Sequence, residues 1–503
     1  MPLADIAAGL AMVADPWVLT VILLSAFFGL FIGAVPGLTA TMATALLVPV
    51  TFFMDPLPAV AAIVACTAMA ITAGDIPGAL LRIPGTPASA AYTDEAYALT
   101  RAGRPEIALG SSLLAAVAGG LFGSIVLMLA APALARVALG FSSFEYFWLA
   151  LLGLSCATFL GAVDRLKALA SLAIGMLIST VGMDTMTGLP RFTMGSVELM
   201  GGISFIPAMI GMFALSEVLR GILWPDRVPR VTVRIGSPLR GIGRVLASCR
   251  VNLARGSVIG TTVGILPGVG GDLAAWICYA TARRFSRTPE KFGTGHPEGL
   301  VEAGAANNSG LGGAWVPALV FGIPGDAVTA IAIGVLYMKG LNPGPRLFVE
   351  QAPMLYAVFA CFLVANLLLI PLGLLAIRAA RRLLAVPRPQ LVAAVLVFSI
   401  VGSFAINNSV FGVAVMLAMG LLAFLLESAR FPVAPIILGI VLGPLVEQNF
   451  MTSMTIADGS LPGFFARPVA GVLGVVTILV WLTPVLGALL RRRGGEASSG
   501  AGS

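Results

Sequence analysis

One histidine, His296, stands in a chain of 503 residues, and only 11% of those residues are charged. Soluble domains carry about 25% charged residues. A water-soluble fold of this length has a surface that still grows with mass, and this composition has too few charged groups to cover it. The lone histidine leaves almost no material for His-based metal sites or acid–base triads. The five cysteines, Cys66, Cys156, Cys249, Cys278 and Cys361, form no CxxC pair. That argues against a disulfide frame or a thiolate metal knuckle; four of them lie in apolar runs and read as small core residues. No GxxxxGK[ST], HExxH or GxSxG occurs, so the chain carries no Walker-type nucleotide site, zincin helix or nucleophile elbow of its own. The amino terminus has neither a basic n-region nor a small-residue cleavage site. The run 17–35 is therefore read as a retained helix, not a signal peptide.

What the chain has instead is apolar length: 58% hydrophobic residues and a mean hydropathy of +1.00. Runs fit for a spanning helix of about 20 residues lie near 17–35, 57–81, 107–134, 144–163, 166–183, 200–223, 353–376, 391–406, 411–427, 433–449 and 469–490. Three more, 38–53, 256–282 and 299–338, are interrupted by Gly and Pro. The runs have helix length, not the ten-residue alternation of an outer-membrane barrel. The expected fold is an all-α polytopic membrane protein with roughly 11–14 membrane segments.

The net charge of +7 fits orientation by the positive-inside rule better than nucleic-acid binding, because the arginines cluster between apolar runs. Arg227, Arg230, Arg234, Arg240, Arg244, Arg250 and Arg255 crowd one loop; Arg378, Arg381, Arg382 and Arg388 crowd another; Arg491, Arg492 and Arg493 follow the last run. These loops and the C-terminus are expected in the cytoplasm of a bacterial inner-membrane protein. The polar tail 494–503 is expected to be disordered. Asp94, Glu95, Arg101 and Arg104 read as a solvated loop, as do Arg283, Arg284, Arg287 and Lys291; the basic loops also suit anionic lipid.

A pattern recurs along the chain. GAVPGLTATMATALLVP, with Pro36 and Gly37, precedes RIPGTPASAA, with Pro84 and Gly85. GILPGVGGDLAAWICYA, with Pro267 and Gly268, precedes GIPGDAVTAIAIG, with Pro324 and Gly325. Pro267 lies 231 residues after Pro36, and Pro324 lies 240 after Pro84. One loop insertion accounts for the difference. The reading is two homologous repeats, 1–240 and 241–490, inverted in topology, with a basic tail at 491–503.

Proline removes a backbone donor and glycine takes conformations other residues avoid. Irregular backbone at membrane depth survives where protein buries it or where it lines a wet cavity. Paired breaks in two halves therefore point to a transporter's binding site. A half-helix starting after each break aims free N–H groups at that site, which suits a carboxylate. The preceding half-helix ends in carbonyls, which suit Na⁺. The segment 256–282 has arginines at both ends and Gly and Pro in its middle. It reads as a re-entrant hairpin of two half-helices of about ten residues, about 15 Å each. Whether 299–338 is one kinked span, two spans, or a span plus a hairpin stays open.

These motifs resemble the large membrane subunit of the tripartite tricarboxylate transporters, the TctA type. The resemblance is carried by PGLTATMATALLVP, IPGTPASAA and ALTRAGRPEIALG, then by LPGVGGDLAAWICYATARRFSRTPEKFGTG, EGLVEAGAANNSGLGGAWVPALVFGIPGDAVTAIAIGVL and GLNPGPRLF. It covers nearly the whole chain. It implies a non-enzymatic secondary transporter that imports citrate or another small carboxylate without ATP. It implies Na⁺ (or H⁺) as coupling ion, a small membrane subunit and a periplasmic solute-binding protein as partners, and no other cofactor. A channel or stand-alone carrier for organic anions is the alternative. The chain departs from the family pattern beside the breaks. Tyr-Gly-Gly-Ser usually precedes the first IPG, where this chain reads ITAGDIPGALLRIPG; Arg82 stands where Asn is usual; and Asn307-Asn308-Ser309 replaces NNA. These differences bear on substrate identity.

The expected substrate-binding positions are Pro36, Gly37, Thr39, Thr41, Arg82, Pro84, Gly85, Thr86, Ser89, Pro267, Gly268, Gly270, Gly271, Asn307, Asn308, Pro324 and Gly325. Thr39, Thr41, Thr86, Ser89, Asp272 and Asp326 are also natural helix N-caps. An aspartate at an anion site repels the substrate unless a cation intervenes, so Asp272, Asp326 and Asn307 are candidate Na⁺ ligands. Asn307 and Asn308 are ligands by family position and interhelical hydrogen-bond glue by composition. Arg82 is a carboxylate clamp, a partner of Asp75, or a snorkelling side chain. Glu302 reads as a helix-start residue near the cytoplasm, and Asn407-Asn408 as a turn.

Overall fold

A computed structural model gives the fold and describes residues 3–159, 164–184, 187–223 and 235–482. Arg227, Arg230, Arg234, the three arginines at 491–493 and the tail lie outside the described residues. In chain order the helices are α1 (Leu3–Val13), α2 (Pro16–Ala34), α3 (Ala40–Phe52), α4 (Pro56–Ala73), α5 (Asp75–Leu81), α6 (Thr93–Arg101), α7 (Pro105–Ala138), α8 (Ser143–Phe159), α9 (Arg165–Ser179), α10 (Phe205–Ile210) and α11 (Ser216–Leu223), the last two joined through a π-helical turn. Then follow α12 (Ile242–Ser248), α13 (Arg250–Gly264), α14 (Gly270–Phe285), α15 (Pro297–Phe321), α16 (Ala327–Met338), α17 (Leu347–Glu350), α18 (Ala352–Leu383), α19 (Arg388–Asn407), α20 (Val410–Ser428) and α21 (Ala434–Ile456). The only strands among the described residues are two short ones, Gly182–Met183 and Pro190–Arg191. Among the described residues eight helices are long and apolar enough to cross a membrane, and the chain is an all-α polytopic membrane protein.

The interrupted runs resolve as separate helices. The 299–338 stretch is a long helix, α15, a break, and the shorter α16. The 256–282 segment folds back on itself, with Cys278 Sγ 3.9 Å from the Gly256 carbonyl. Its arms, α13 and α14, have 15 and 16 residues. At 1.5 Å per residue they reach roughly 22–24 Å, longer than the half-helices expected. The extra length comes from the flanking basic residues, which extend the helices to Arg250 and Phe285.

Two helices form the centre. All 26 residues from Pro56 to Leu81 belong to one bent span whose best apolar window is wholly buried, and α15 is buried from Gly299 to Phe321. Both are rich in Ala and Gly, which lets neighbouring backbones approach closely. Helix α2 lies on α4 through Gly29 against Cys66 and Gly33 against Ala70; a Cβ there would stand 2.1 and 2.3 Å from the two carbonyl oxygens. Helix α13 lies on α15 through Gly260 against Ala306 and Gly264 against Gly310, with the corresponding distances 2.6 and 2.4 Å. The glycines of the two pairs are 231 residues apart and their partners 240 apart, the same two offsets that relate the Pro-Gly breaks. Helix α7 runs along α15, and α18 along α4 and α7. Two peripheral groups flank this centre: α8 and α9 with α21, and α19 and α20 with α10–α11.

Two acidic residues differ from expectation: Glu302, read as a helix-start residue, lies inside α15, which starts at Pro297, and Glu95, read as part of a solvated loop, is buried. Glu302 is fully buried and pairs with Arg255 at 2.7 and 2.5 Å and with Asn252 at 2.8 Å, tying α13 to α15. Glu95 is also fully buried. It accepts from the N–H groups of Gly293 (2.5 Å), Gly295 (2.8 Å) and His296 (2.7 Å) and from Tyr279 Oη (2.9 Å). Four donors on one carboxylate make burial of its charge tolerable. Arg283, Arg284, Arg287 and Lys291 are exposed as expected. All five cysteines are free and buried, and Asn408 ends α19 in the left-handed region.

Candidate functional site

Each chain break has a local cause. After α2 the chain turns at Gly37 (φ 89°), and Thr39 caps α3 by accepting from the Met42 N–H at 3.2 Å. After α5, Arg82 takes a left-handed conformation (φ 62°), and the Gly85 N–H donates to the Gly74 carbonyl at 3.1 Å. Gly85 has no room for a side chain, because a Cβ would stand 2.5 Å from Gly74 Cα. Thr86 and Ser89 then cap each other, backbone to hydroxyl, at 3.1 and 3.0 Å. Between α13 and α14, Gly268 (φ 76°) and Gly270 (φ 61°) make the turn. After α15, Gly322 is left-handed (φ 68°). A capping box then joins Asp326 and Thr329 at 2.9 and 2.7 Å, at positions 240 residues after Thr86 and Ser89. The two second-half breaks touch, since the Gly268 N–H donates to the Pro324 carbonyl at 3.3 Å.

The breaks converge on one cleft whose open space, with the solvent at its mouth included, is about 490 Å³. Thr39, Thr41, Thr86, Gly271, Asp272, Asn307 and Asp326 line it, with Ala40, Ile71, Pro87, Leu311, Ala327 and Val328. Ala40 with Gly271 and Thr41 with Asp272 are 231 residues apart; Ile71 with Leu311, Thr86 with Asp326 and Pro87 with Ala327 are 240 apart. The N-terminal turns of α3, α14 and α16 open on this space. Their unpaired backbone N–H groups carry the positive end of each helix dipole.

Among the described residues no Lys or Arg lines the cleft. Asp272 Oδ1 accepts from the Ala88 N–H at 3.1 Å, and its side chain stays open to the cleft. Asp326 Oδ1 serves the first turn of α16. Two carboxylates, three threonine hydroxyls and the Asn307 amide thus give a hard, all-oxygen donor set with room for a monovalent cation. Among the described residues no group of three or more His, Cys, Asp and Glu could hold a metal ion, so a transition-metal centre has no donor set here.

Residues 19–438 match the sequence profile described as "Tripartite tricarboxylate transporter TctA family". The chain belongs to the tripartite tricarboxylate transporter TctA family. It is 33% identical over 466 residues, 91% of each chain, to a protein of Agrobacterium vitis described as "Uncharacterized 52.8 kDa protein in TAR-I ttuC' 3'region". It is also 33% identical over 228 residues to "Uncharacterized protein in TAR-II ttuC' 3'region" of the same organism, covering 45% of this chain and 94% of the relative. No solved structure matches. Membership makes this TctA-family chain a membrane subunit of a tricarboxylate transporter, multi-pass and one component of a tripartite system, in a family of transporters rather than enzymes.

Several expected site residues lie away from the TctA cleft. Pro36, Gly37, Pro84, Gly85, Pro267, Gly268, Gly270, Pro324 and Gly325 shape the turns behind it; Gly270, for instance, has Asp326 Cβ 2.7 Å from where its own Cβ would be. Ser89 caps Thr86. Asn308 bonds Thr72 at 3.0 and 3.3 Å and so joins α15 to α4. Arg82 points away, 62% exposed, and pairs with Asp94 at 2.8 Å rather than with Asp75. Asp75 is buried and accepts from Tyr92 Oη at 2.7 Å and from Ser112 Oγ. Tyr92 Oη in turn accepts from Asn307 Nδ2 at 3.2 Å. Sequence reasoning missed this relay behind the cleft; an aspartate in the middle of an apolar span was the available signal.

A larger hollow of about 1,610 Å³ lies between the strand pair, α16 and α21. Its charged residues, Arg191 and Glu447, pair at 2.5 and 3.0 Å, Arg191 Nε is left without a partner, and most of its lining is apolar.

Proposed function

We propose that this chain is the permease subunit of a binding-protein-dependent secondary transporter. It imports a tricarboxylate or another small carboxylate, driven by an ion gradient without ATP. The observation that carries the reading is the single cleft on which all four chain breaks converge. Helix N-termini aimed at one space favour an anion, and the facing carboxylates of Asp272 and Asp326, with Asn307, favour Na⁺ beside it. The two charges then offset each other inside the membrane, and neither enters cheaply alone.

The matching contacts at offsets of 231 and 240 support two homologous halves, and the cleft's paired lining supports a pseudo-twofold axis through it. Such a relation is the usual basis for alternating access in carriers. In this reading α4, α15 and the broken helices move against the two peripheral groups. A periplasmic solute-binding protein delivers the substrate, and a small membrane subunit accompanies this one in the inner membrane.

The test is uptake of labelled citrate and a panel of carboxylates into proteoliposomes holding this chain and its small membrane partner. Saturable uptake that needs both the binding protein and a Na⁺ gradient is expected. Uptake that needs neither would replace the reading with a channel or a stand-alone carrier.

A further inference from the structure

Asp75 is a carboxyl group at the bend of the most buried span, where α4 gives way to α5; it is 7% exposed, and among the described residues no cation pairs with it. The groups facing it are few. Tyr92, at the start of α6, donates to one oxygen at 2.7 Å, and Ser112 of α7 donates to the other. The small cavity beside it is lined from α2, α4, α5, α7 and α18 by apolar residues with Thr72 and Ser112, and Asp75 is the one titratable residue in that lining. Beyond Tyr92, the negative charge of Asp272 on α14 acts on the Tyr92 hydroxyl from the cleft side. A charge so placed is costly without a partner ion. A proton removes the cost.

We propose that Asp75 is a proton-binding site whose state sets the polarity of the cleft wall through Tyr92 and Asn307. The proposal rests on the reading of the cleft as a carboxylate site. With Asp75 ionised, Tyr92 donates to it and accepts from Asn307 Nδ2. Among the described residues no donor reaches Asn307 Oδ1, so an acceptor is left for the cleft, which favours a cation and disfavours an anion. When Asp75 takes up a proton, its hydroxyl donates to the Tyr92 oxygen. The phenol hydrogen then turns toward Asn307, the amide flips, and Nδ2 faces the cleft as a donor for a carboxylate. No covalent bond to carbon changes; one proton is gained, two hydrogen bonds reverse direction, and the Asn307 amide turns its donor to the cleft. Proton and anion thereby bind cooperatively, and each strengthens the other by the same factor.

The device exists once per chain. At the 240-residue offset Asp75 corresponds to Trp315, a buried residue whose Nε1 has no partner.

Infrared spectra of the full chain in nanodiscs, titrated with pH and without ligand, test the site directly. The expected result is a protonated-carboxyl C=O band that titrates and is absent in Asp75→Asn. In proteoliposomes with a fixed Na⁺ gradient, Asp75→Asn is expected to lose the extra citrate accumulation that an added pH gradient drives, while citrate counterflow persists. Tyr92→Phe keeps the band but breaks the relay, so citrate affinity stops changing with pH. In the wild type, affinity is expected to weaken at least about fivefold as pH rises through the titration, the lower end of typical coupling. A band unchanged in Asp75→Asn, or pH-driven accumulation equal to wild type in that variant, overturns the proposal. An Asp75-dependent band in a protein that moves no carboxylate would leave the proton site standing and overturn the substrate reading instead.

Discussion

Asp326 has two separable tasks. It caps α16 through the Thr329 N–H and presents a charge to the cleft. Asn caps about as well as Asp. Asp326→Asn should therefore keep the melting temperature near wild type, while the Na⁺ concentration for half-maximal uptake rises at least about tenfold, the equivalent of about 1.4 kcal/mol. Thr329→Ala should do the reverse, costing about 1 kcal/mol of stability through the lost cap with Na⁺ dependence retained; thermal unfolding in detergent and uptake titrations read the two. Arg82 is predicted to be dispensable. Its pair with Asp94 is exposed on both sides, where solvent screens most of the attraction. Its left-handed backbone costs a non-glycine residue roughly 1–2 kcal/mol. Arg82→Gly should raise thermal stability and leave the apparent substrate affinity unchanged; a large loss of affinity would return Arg82 to the site.

At the scale of elements, the central helices are held by backbone contact rather than by side-chain interdigitation. Gly33→Ala and Gly264→Ala would each drive a methyl to within 2.3 and 2.4 Å of a carbonyl on α4 or α15. Overpacking of this kind costs about 1–3 kcal/mol, so both variants should melt earlier. Gly243→Ala in α12 is the control: nothing lies within 4 Å of the added Cβ, and a gain of about 0.4–1 kcal/mol is expected from reduced unfolded-chain entropy. Equal melting temperatures for all three would show that the close approaches of α2 to α4 and α13 to α15 are not what holds the centre. Much of this was legible beforehand. Pro-Gly pairs, caps and apolar runs act over a few residues, and the breaks fall at Pro36, Pro84, Pro267 and Pro324 as the sequence indicates. The arms of the α13–α14 hairpin, 15 and 16 residues, exceed the length that apolarity alone indicates, because arginines prolong both helices.

For the whole molecule, the cleft predicts access that changes with the transport cycle. All native cysteines are buried, so Thr41→Cys should supply the main reactive thiol, lining the cleft. A charged thiol reagent should label it, and citrate with Na⁺ together should slow labelling more than either alone. Labelling indifferent to both would place the substrate elsewhere. The same labelling should respond to a pH gradient if Asp75 governs the cleft wall.

The sequence by itself determined the class of molecule, its breaks and the family, because hydropathy, proline and glycine geometry, and motif order are local properties. It also marked most of the cleft residues, since helix-capping types follow each break. Tertiary structure alone decided which buried charge meets which partner. Glu95 finds backbone donors 198 to 201 residues away, and Asp75 is held by Tyr92 and Ser112 rather than by the nearer Arg82. A carboxylate's partner is fixed by how helices distant in the chain pack around it, and no local rule encodes that.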